Sequence, residues 1–409
     1  MSKKLELDLS NPFLIFTAVW LAILFLVYLR LSIHLLEINQ GTVILIVTNI
    51  FTCGVIYFFL SLRFPKLSTS QQAEIPSELL DCLRGFVKKI LQIWFIGTIV
   101  NVIASGGLPI FWMISGNTDK DYRDYGVSTF NGLMNAFFMF SLSATFLEYC
   151  IRKKKKLLFK IIFLLIWQIL LISRGALVWA LLQMLGVYLV MHRISLSRLI
   201  KVTIACFLVI VLFGFIGDAR MGESLYGNYM KNMVVDDYKE LFEFLPSGFL
   251  WIYMYVTAGL NNVIGAIDTV TPSYVPYFSV AGLIPSVVRI FLYNPTQYQL
   301  DLVNESFNVS TFYAGYLSDF GIIGAIVGGV ILQFFAVYYY ISARRRQVWA
   351  ILAYAVIFQA LVLSVFWDTF AGLVTVVQIC LAVYFKKLCK RDVMKKLQVL
   401  SGGAACFFY

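Results

Sequence analysis

Long apolar runs alternate with short polar segments along almost the whole chain, and this alternation predicts the fold class. A helix needs roughly 20 mainly apolar residues to cross a lipid bilayer. The pattern predicts an all-α polytopic membrane protein, in which residues 1–409 form one integral membrane domain with about ten transmembrane helices. We expect the spans near residues 12–29, 41–60, 86–104, 130–149, 157–172, 175–191, 199–217, 312–340, 348–366 and 370–385.

The composition excludes an ordinary soluble domain. Of the 409 residues, 60% are hydrophobic and 13% are charged, whereas soluble domains are about half apolar and a quarter charged. The mean hydropathy of +0.82 points the same way. The first apolar run follows Lys3 and Lys4 and is too long for a signal-peptide core, so we expect it to be retained as the first helix.

The basic residues predict the orientation of the spans. The formal net charge is +11, and Lys and Arg gather in short clusters between the apolar runs. With Lys3 and Lys4 in the cytoplasm, these clusters fall on the cytoplasmic side, as the positive-inside rule requires. We therefore expect both termini in the cytoplasm and the basic side chains at anionic lipid headgroups, not on a nucleic acid. The clusters lie at 152–156, 193–201, 344–346 and 386–391.

Residues 218–311 form a long loop that the same rule assigns to the periplasmic face. They carry four basic and nine acidic residues, a net charge of −5. Two apolar stretches in this loop, 244–267 and 277–293, are long enough to be further spans, which would give 12 spans. The segment between them has no Lys or Arg, and three prolines interrupt helix continuity in this region. We therefore favour short interfacial or re-entrant helices within the loop.

Three arginines are candidates for binding phosphate. The guanidinium stays charged and donates paired hydrogen bonds to phosphate oxygens. Arg174 lies at the outer turn of a predicted helical hairpin, where a snorkelling interfacial side chain fits equally well. Arg220 opens the long loop between two acidic residues, with which it can instead form an ion pair. Arg289 sits in an apolar stretch, either anchored at the interface or directed into a cavity.

Asp319 is the candidate for acid–base chemistry. It lies in an otherwise apolar helix start, where burial would raise its pKa toward a value useful for a general base. A structural pairing with a loop arginine explains its position equally well. The predicted outer loop 105–130 mixes acidic and aromatic residues with Arg123, a combination that suits sugars and also suits a solvated loop.

No motif in the sequence indicates a metal or cofactor site. His34 and His192 both lie outside the long loop, so we expect no histidine-based catalysis or zinc site there. The acidic pairs at 119–121 and 236–237 are weak signals for a divalent cation. None of the seven cysteines falls in a predicted periplasmic loop, so no structural disulfide is expected. We predict neither a metal nor a cofactor.

Four short stretches carry a resemblance to a known family. They read GGLPIF at 106–111, SRGALVWALL at 173–182, GDARMG at 217–222 and STFYAGYLSDFGIIGAI at 310–326. Together with the topology, they resemble the O-antigen polymerases (Wzy type) of the bacterial inner membrane. The last stretch is also similar to the O-antigen ligases, which carry a histidine where this chain has Ser310. That departure favours a polymerase.

The resemblance implies a metal-independent glycosyltransferase of the membrane-embedded C class. It would move the growing chain from undecaprenyl pyrophosphate to a hydroxyl of the next lipid-linked oligosaccharide repeat unit, at the periplasmic face. Besides these substrates and membrane lipid, it implies a chain-length regulator (Wzz type) as a partner. On this interpretation the catalytic residues would be Asp319, Arg220 and Arg174. The substrate-binding residues would be Arg289, Arg123, Tyr313, Ser310 and Thr311.

Two other functions remain open at the level of the sequence. A lipid-linked oligosaccharide flippase or other transporter would fit the membrane class, although such proteins usually show repeated halves and charges within central helices. An O-antigen ligase would fit the last of the four stretches, although the loop histidine is missing.

Overall fold

The structure is a computed structural model of the chain. It describes residues 6–64, 75–115, 120, 122–195, 200, 204, 232–245, 248–292, 300–304 and 309–400. This part of the chain is almost entirely helical, apart from two-residue strands at Glu6–Leu7 (β1) and Ile194–Ser195 (β2), which pair antiparallel. The first seven helices are α1 (Pro12–Tyr28), α2 (Gln40–Arg63), α3 (Ser77–Ser105), α4 (Pro109–Ile114), α5 (Phe130–Arg152), α6 (Lys155–Leu170) and α7 (Arg174–Met191). The others are α8 (Lys239–Phe244), α9 (Gly248–Ile267), α10 (Phe278–Ala281), α11 (Ser286–Leu292), α12 (Tyr313–Arg344), α13 (Val348–Leu363) and α14 (Leu373–Leu400).

Local sequence signals account for several helix ends. Asn11 precedes Pro12 and accepts a hydrogen bond from the Phe13 N–H, a favoured N-cap arrangement with proline at the first helical position. Asn39 caps α2 in the same way through the Thr42 N–H, at 3.0 Å. These caps lie directly before apolar runs, so the sequence predicts where each run starts.

The helices support the prediction of a helical membrane protein. Within the described residues, five are long and apolar enough to cross a membrane, and three shorter ones are also apolar. The outer surface of the bundle carries large apolar side chains, such as Phe51 on α2 and Phe159 on α6, each 70% exposed. A surface of this kind is suited to lipid and would be an aggregation hazard in water. The five long helices are Gln40–Arg63, Ser77–Ile114 (α3 and α4 taken together), Phe130–Arg152, Gly248–Ile267 and Tyr313–Arg344.

Helices occupy nine of the ten predicted spans, and the span at 199–217 lies largely outside the described residues. The nine are α1, α2, α3, α5, α6, α7, α12, α13 and α14. The number of helices that cross a membrane stays a prediction, because length and composition alone do not settle it.

The loops between these helices sort into two ends of the bundle. We call one the basic end, formed by residues 6–11, 153–154, 192–195 and 345–347. We call the other the loop end, formed by residues 29–39, 106–115, 122–129, 171–173, 232–245, 268–292, 309–312 and 364–372.

Contacts at the basic end join elements that are distant in sequence. The Tyr340 hydroxyl donates to Asp8 at 2.9 Å, and the Arg344 side chain lies 3.7 Å from the same carboxylate. The buried Glu148 pairs with Arg84 and, at 3.6 Å, with Arg152. The described parts of the basic clusters at 152–156, 193–195 and 344–346 therefore lie at this end, while the compartment it faces stays a prediction.

Helix α13 is the centre of the bundle. Its residues from Val348 to Leu361 are all buried, on every side of the helix. Two of its polar side chains make hydrogen bonds: the Tyr354 hydroxyl donates to the Ser10 carbonyl, and Gln359 accepts from Gln183 at 2.8 Å, which in turn accepts from the Ser143 hydroxyl at 3.0 Å. Polar side chains in an apolar bundle are tolerated when they pair in this way.

Hydrogen bonds join helix α9 to the loop end of the bundle, and its length and composition also suit a span. Tyr253 accepts from the Leu31 N–H and donates to the Leu26 carbonyl, near the end of α1. Asn261 pairs with the backbone of residues 34 and 36, and Asp268 accepts from Asn39 at 2.8 Å. Side chains near both ends and in the middle of α9 therefore bind residues of the loop end, and whether α9 crosses the membrane stays a prediction.

Candidate functional site at the loop end

Asp319 holds the segment that follows α9. Its side chain is fully buried. One carboxylate oxygen accepts from the Ser279 hydroxyl at 2.6 Å and from the Ser279 N–H at 2.8 Å, and the other accepts from the Phe278 N–H at 3.0 Å. These donors form the first turn of α10, so Asp319 caps that helix from another part of the chain.

A break in α12 gives Asp319 this position. Gly321 has φ 66° and ψ −161° inside the helix, a conformation that is essentially restricted to glycine. The backbone carbonyls just before the break accept hydrogen bonds from the loop, since Tyr274 N–H donates to Asp319 at 2.8 Å and Ser273 N–H donates to Ser318 at 3.2 Å. Gly321 therefore has a backbone role at this break.

Asp368 is a second carboxyl group at the loop end, in the turn between α13 and α14. It accepts from the Phe370 N–H at 2.9 Å and the Ala371 N–H at 3.0 Å, and the Tyr316 hydroxyl donates to it. Burial raises the pKa of Asp368 to about 6, against the lowering effect of these hydrogen bonds. Tyr316 also feels the charge of Asp319, so the two carboxyl groups share one neighbourhood.

A cavity of about 120 Å³ opens between α3, α5, α6 and α7, beside the turn that precedes Arg174. None of the described side chains that line it is acidic or basic. Burial raises the pKa of the lining Tyr125 phenol to about 12, so this hydroxyl is neutral at physiological pH. The lining residues are Trp94, Thr98, Tyr125, Asn131, Gly132, Met134, Asn135, Phe138, Trp167, Gln168, Leu171, Ser173 and Ala176.

One hydrogen bond joins the loop beside the cavity to the segment that Asp319 caps. The Ser286 N–H donates to the Thr129 hydroxyl at 2.8 Å, which ties the start of α11 to the turn before α5. Helix α11 is exposed along its length, with Phe291 85% exposed, and Arg289 lies on it. The Arg289 guanidinium donates to the Ala281 carbonyl at 3.3 Å.

The predicted site residues fall into two groups at the loop end. Arg174 is the first residue of α7, at the cavity, and Arg123 is an exposed residue of the short 3-10 turn that leads to Tyr125. Arg289 and Asp319 belong to the group around α10 and α11. Arg220 lies outside the described residues.

The residues before α12 are more buried than substrate-binding residues would be. Tyr313 has no exposed surface, and its ring packs 4.9 Å from that of Trp20. Thr311 is buried and accepts from the Tyr313 N–H at 3.2 Å. The Ser310 hydroxyl is also buried and has no hydrogen-bond partner among the described residues. Their role in binding stays a prediction, and in this conformation Tyr313 and Thr311 contact the protein interior.

Sequence reasoning missed Asp368, Tyr316 and the cavity. Asp368 satisfies the criterion that singled out Asp319, an isolated acid between two apolar runs, so its signal was present. The carboxamides that line the cavity carry no charge, so they gave no signal in the sequence. Among the described residues, no group of three or more His, Cys, Asp or Glu side chains is placed to hold a metal ion.

Comparisons with protein families, with curated proteins and with solved structures returned no match. The fold and the site therefore carry the functional argument.

Proposed function

We propose that the chain is a polysaccharide polymerase, a glycosyltransferase that joins undecaprenyl-pyrophosphate-linked oligosaccharide repeat units into O-antigen or a related surface polysaccharide. The observation that carries this proposal is the largely buried Asp368, whose pKa is raised to about 6 at the same end of the bundle as Arg174 and Arg289. Such a carboxylate is mostly ionised near neutral pH and is a stronger base than an ordinary aspartate.

The proposed reaction is a substitution at the anomeric carbon of the growing chain. A hydroxyl oxygen of the incoming repeat unit forms the new bond to that carbon, and the bond to the phosphate oxygen breaks. Undecaprenyl pyrophosphate leaves with the electron pair, and the hydroxyl proton passes to the Asp368 carboxylate and then to solvent. The leaving pyrophosphate requires fixed positive charge, which we assign to Arg174, Arg220 and Arg289.

Asp368 replaces Asp319 as the proposed base. Both carboxylate oxygens of Asp319 already accept hydrogen bonds from α10. Its first role is therefore to fix α10, which precedes the helix that carries Arg289. Asp368 accepts two backbone hydrogen bonds through one of its oxygens.

The proposal includes a location and partners. The basic end would face the cytoplasm with both termini, the loop end would face the periplasm, and about ten helices would cross the bacterial inner membrane. Lipid-linked repeat units would reach the loop end from the bilayer, and a chain-length regulator would act with the protein.

Gene deletion followed by gel analysis of surface polysaccharide tests the function. A polymerase predicts that the long ladder disappears while core carrying a single repeat unit remains. Loss of all attached O-antigen would indicate a ligase, and loss of repeat units from the periplasmic face would indicate a flippase. An unchanged ladder would rule out polymerisation.

Complementation with point variants tests the residues. Asp368→Asn, Arg174→Ala and Arg220→Ala should each restore little or no ladder. Asp301→Asn is the matched control, because Asp301 is an exposed acid near α12 and lies outside both groups. Protein levels in the membrane must be equal for the comparison, and a wild-type ladder from Asp368→Asn would remove the proposed base.

A further inference from the structure

The cavity beside Arg174 has the lining of a site for a neutral, hydroxyl-rich ring. Trp94 and Trp167 meet edge to face with their ring centroids 5.7 Å apart. Carboxamides from Asn131, Asn135 and Gln168 line the same space. Aromatic faces suit the apolar faces of a ring, and a few fixed donors and acceptors set its orientation.

Gln168 supplies an independent sign that something occupies this cavity. The side chain is 2% exposed, and its carbonyl oxygen has no hydrogen-bond partner among the described residues. Its amide nitrogen lies 3.4 Å from the Asn135 side-chain oxygen. A buried acceptor without a donor is unfavourable, so a ligand with a hydroxyl group, or water, would complete the site.

Size and charge narrow the class of ligand. A volume of about 120 Å³ is close to the roughly 150 Å³ cavity that accommodates a six-membered ring in another protein. The described side chains that line the cavity are uncharged, so they would solvate a neutral ligand better than a phosphate or carboxylate. Ser173 lies on its wall and Arg174 is the next residue, so a bound ring would lie beside a candidate phosphate-binding arginine.

We propose that this cavity binds one pyranose ring of a saccharide, packed against the tryptophans and held by the carboxamides of Gln168 and Asn131. The inference rests on the proposed function only in identifying that saccharide as part of the lipid-linked repeat unit. Gln168 and Asn131 are then specificity-determining residues, because their hydrogen bonds select the hydroxyl pattern of the ring.

Binding can be measured without polymerisation. Saturation-transfer NMR would use the full chain in lipid nanodiscs and a panel of methyl pyranosides that differ in hydroxyl configuration. The wild-type protein should transfer saturation to some of these glycosides and not to others. Gln168→Leu should weaken binding about tenfold, the factor that corresponds to one lost hydrogen bond. Ala176→Phe should abolish binding, because it fills the cavity without removing a hydrogen bond.

Gln378→Leu is the matched control. Gln378 is 1% exposed, and its side-chain oxygen also lacks a partner among the described residues, but it lies on α14 and does not line the cavity. This variant should bind as the wild type does. Absence of transfer to every glycoside, which would mean a cavity filled only by water, overturns the proposal. Unchanged binding in both Gln168→Leu and Ala176→Phe also overturns it.

The two proposals fail separately. Selective pyranoside binding by the wild type, together with an unchanged ladder after gene deletion, would overturn polymerisation and leave the saccharide site standing. Loss of the ladder on deletion, with no glycoside bound by the wild type, would support polymerisation and overturn the saccharide site.

Discussion

Replacing Asp319 with alanine tests whether one buried carboxylate holds residues 272–282 in place at the loop end. The three hydrogen bonds that it accepts have lengths of 2.6, 2.8 and 3.0 Å. The Ser279 hydroxyl can turn to another acceptor, but the backbone N–H groups of Phe278 and Ser279 cannot. Each unsatisfied N–H costs about 1–3 kcal/mol, so Asp319→Ala should favour local opening of residues 272–282 by about 2–6 kcal/mol.

Hydrogen–deuterium exchange resolves this effect from global unfolding, because it reports local opening. A change of about 4 kcal/mol corresponds to roughly a thousandfold loss of protection in peptides that cover residues 272–282. Asp319→Asn should lose less, since its amide oxygen still accepts from Ser279 while its NH₂ group opposes the Phe278 N–H. The exposed Asp237→Ala serves as the control. Wild-type protection of these peptides in Asp319→Ala would refute the capping role.

Three further predictions follow from local contacts. The pKa of Asp368 is raised to about 6 from an ordinary 3.8, so the folded state binds this proton more tightly than the unfolded state and stability falls as pH rises through this range. Asp368→Asn should therefore increase the free energy of unfolding near neutral pH by up to about 3 kcal/mol, seen as a higher melting temperature. Below about pH 4 it should have no such effect. Gly259→Ala places a methyl group 2.6 Å from a neighbouring backbone carbonyl oxygen and should destabilise by about 1–3 kcal/mol in thermal unfolding, whereas Gly85→Ala, with nothing within 4 Å, should be neutral or stabilising by up to about 1 kcal/mol. The Cys82 and Cys389 sulfurs lie 3.2 Å apart, so a mild oxidant should form a disulfide between them after a small movement of the two side chains. A titration of free thiols should then find two fewer than before oxidation. Retention of both thiols would contradict this geometry.

Hydrophobic patterning predicts the middle of each helix better than its ends. Helix α3 was expected from residue 86 and begins at Ser77. The added turns carry Asp81 and Arg84, which form ion pairs with Arg152 and Glu148 of α5. A search for apolar windows ends where charges appear, so it cannot anticipate helical turns whose polar side chains are satisfied by a neighbouring helix.

Sequence reasoning identified Asp319 but not its partner. An isolated acid in an apolar stretch is unusual enough to indicate a role, and an arginine was the expected structural partner. The actual donors include two backbone N–H groups some 40 residues earlier in the chain. Backbone groups carry no sequence signal, and only the break at Gly321 and the fold of the loop bring them to the carboxylate.

Helix α9 shows that an apolar pattern does not anticipate polar contacts in this chain. Asn261 exchanges hydrogen bonds with the backbone at residues 34 and 36, at 2.9 and 2.8 Å. Asn262 donates to the Val309 carbonyl at 2.8 Å and accepts from the Val303 N–H at 3.1 Å. All these partners lie in segments between helices, and the apolar pattern of α9 carries no sign of them.

The same hydrogen bonds have a consequence for substrate access. They hold α9 against the segment before α12, and Gly259 lets α9 lie close to the backbone of Val365, in the turn that carries Asp368. Helix α11 is exposed, and its apolar side chains face outward around Arg289. Under the proposed function, α11 would present Arg289 to a lipid-linked substrate, and the two carboxyl groups and the cavity lie at the same end of the bundle.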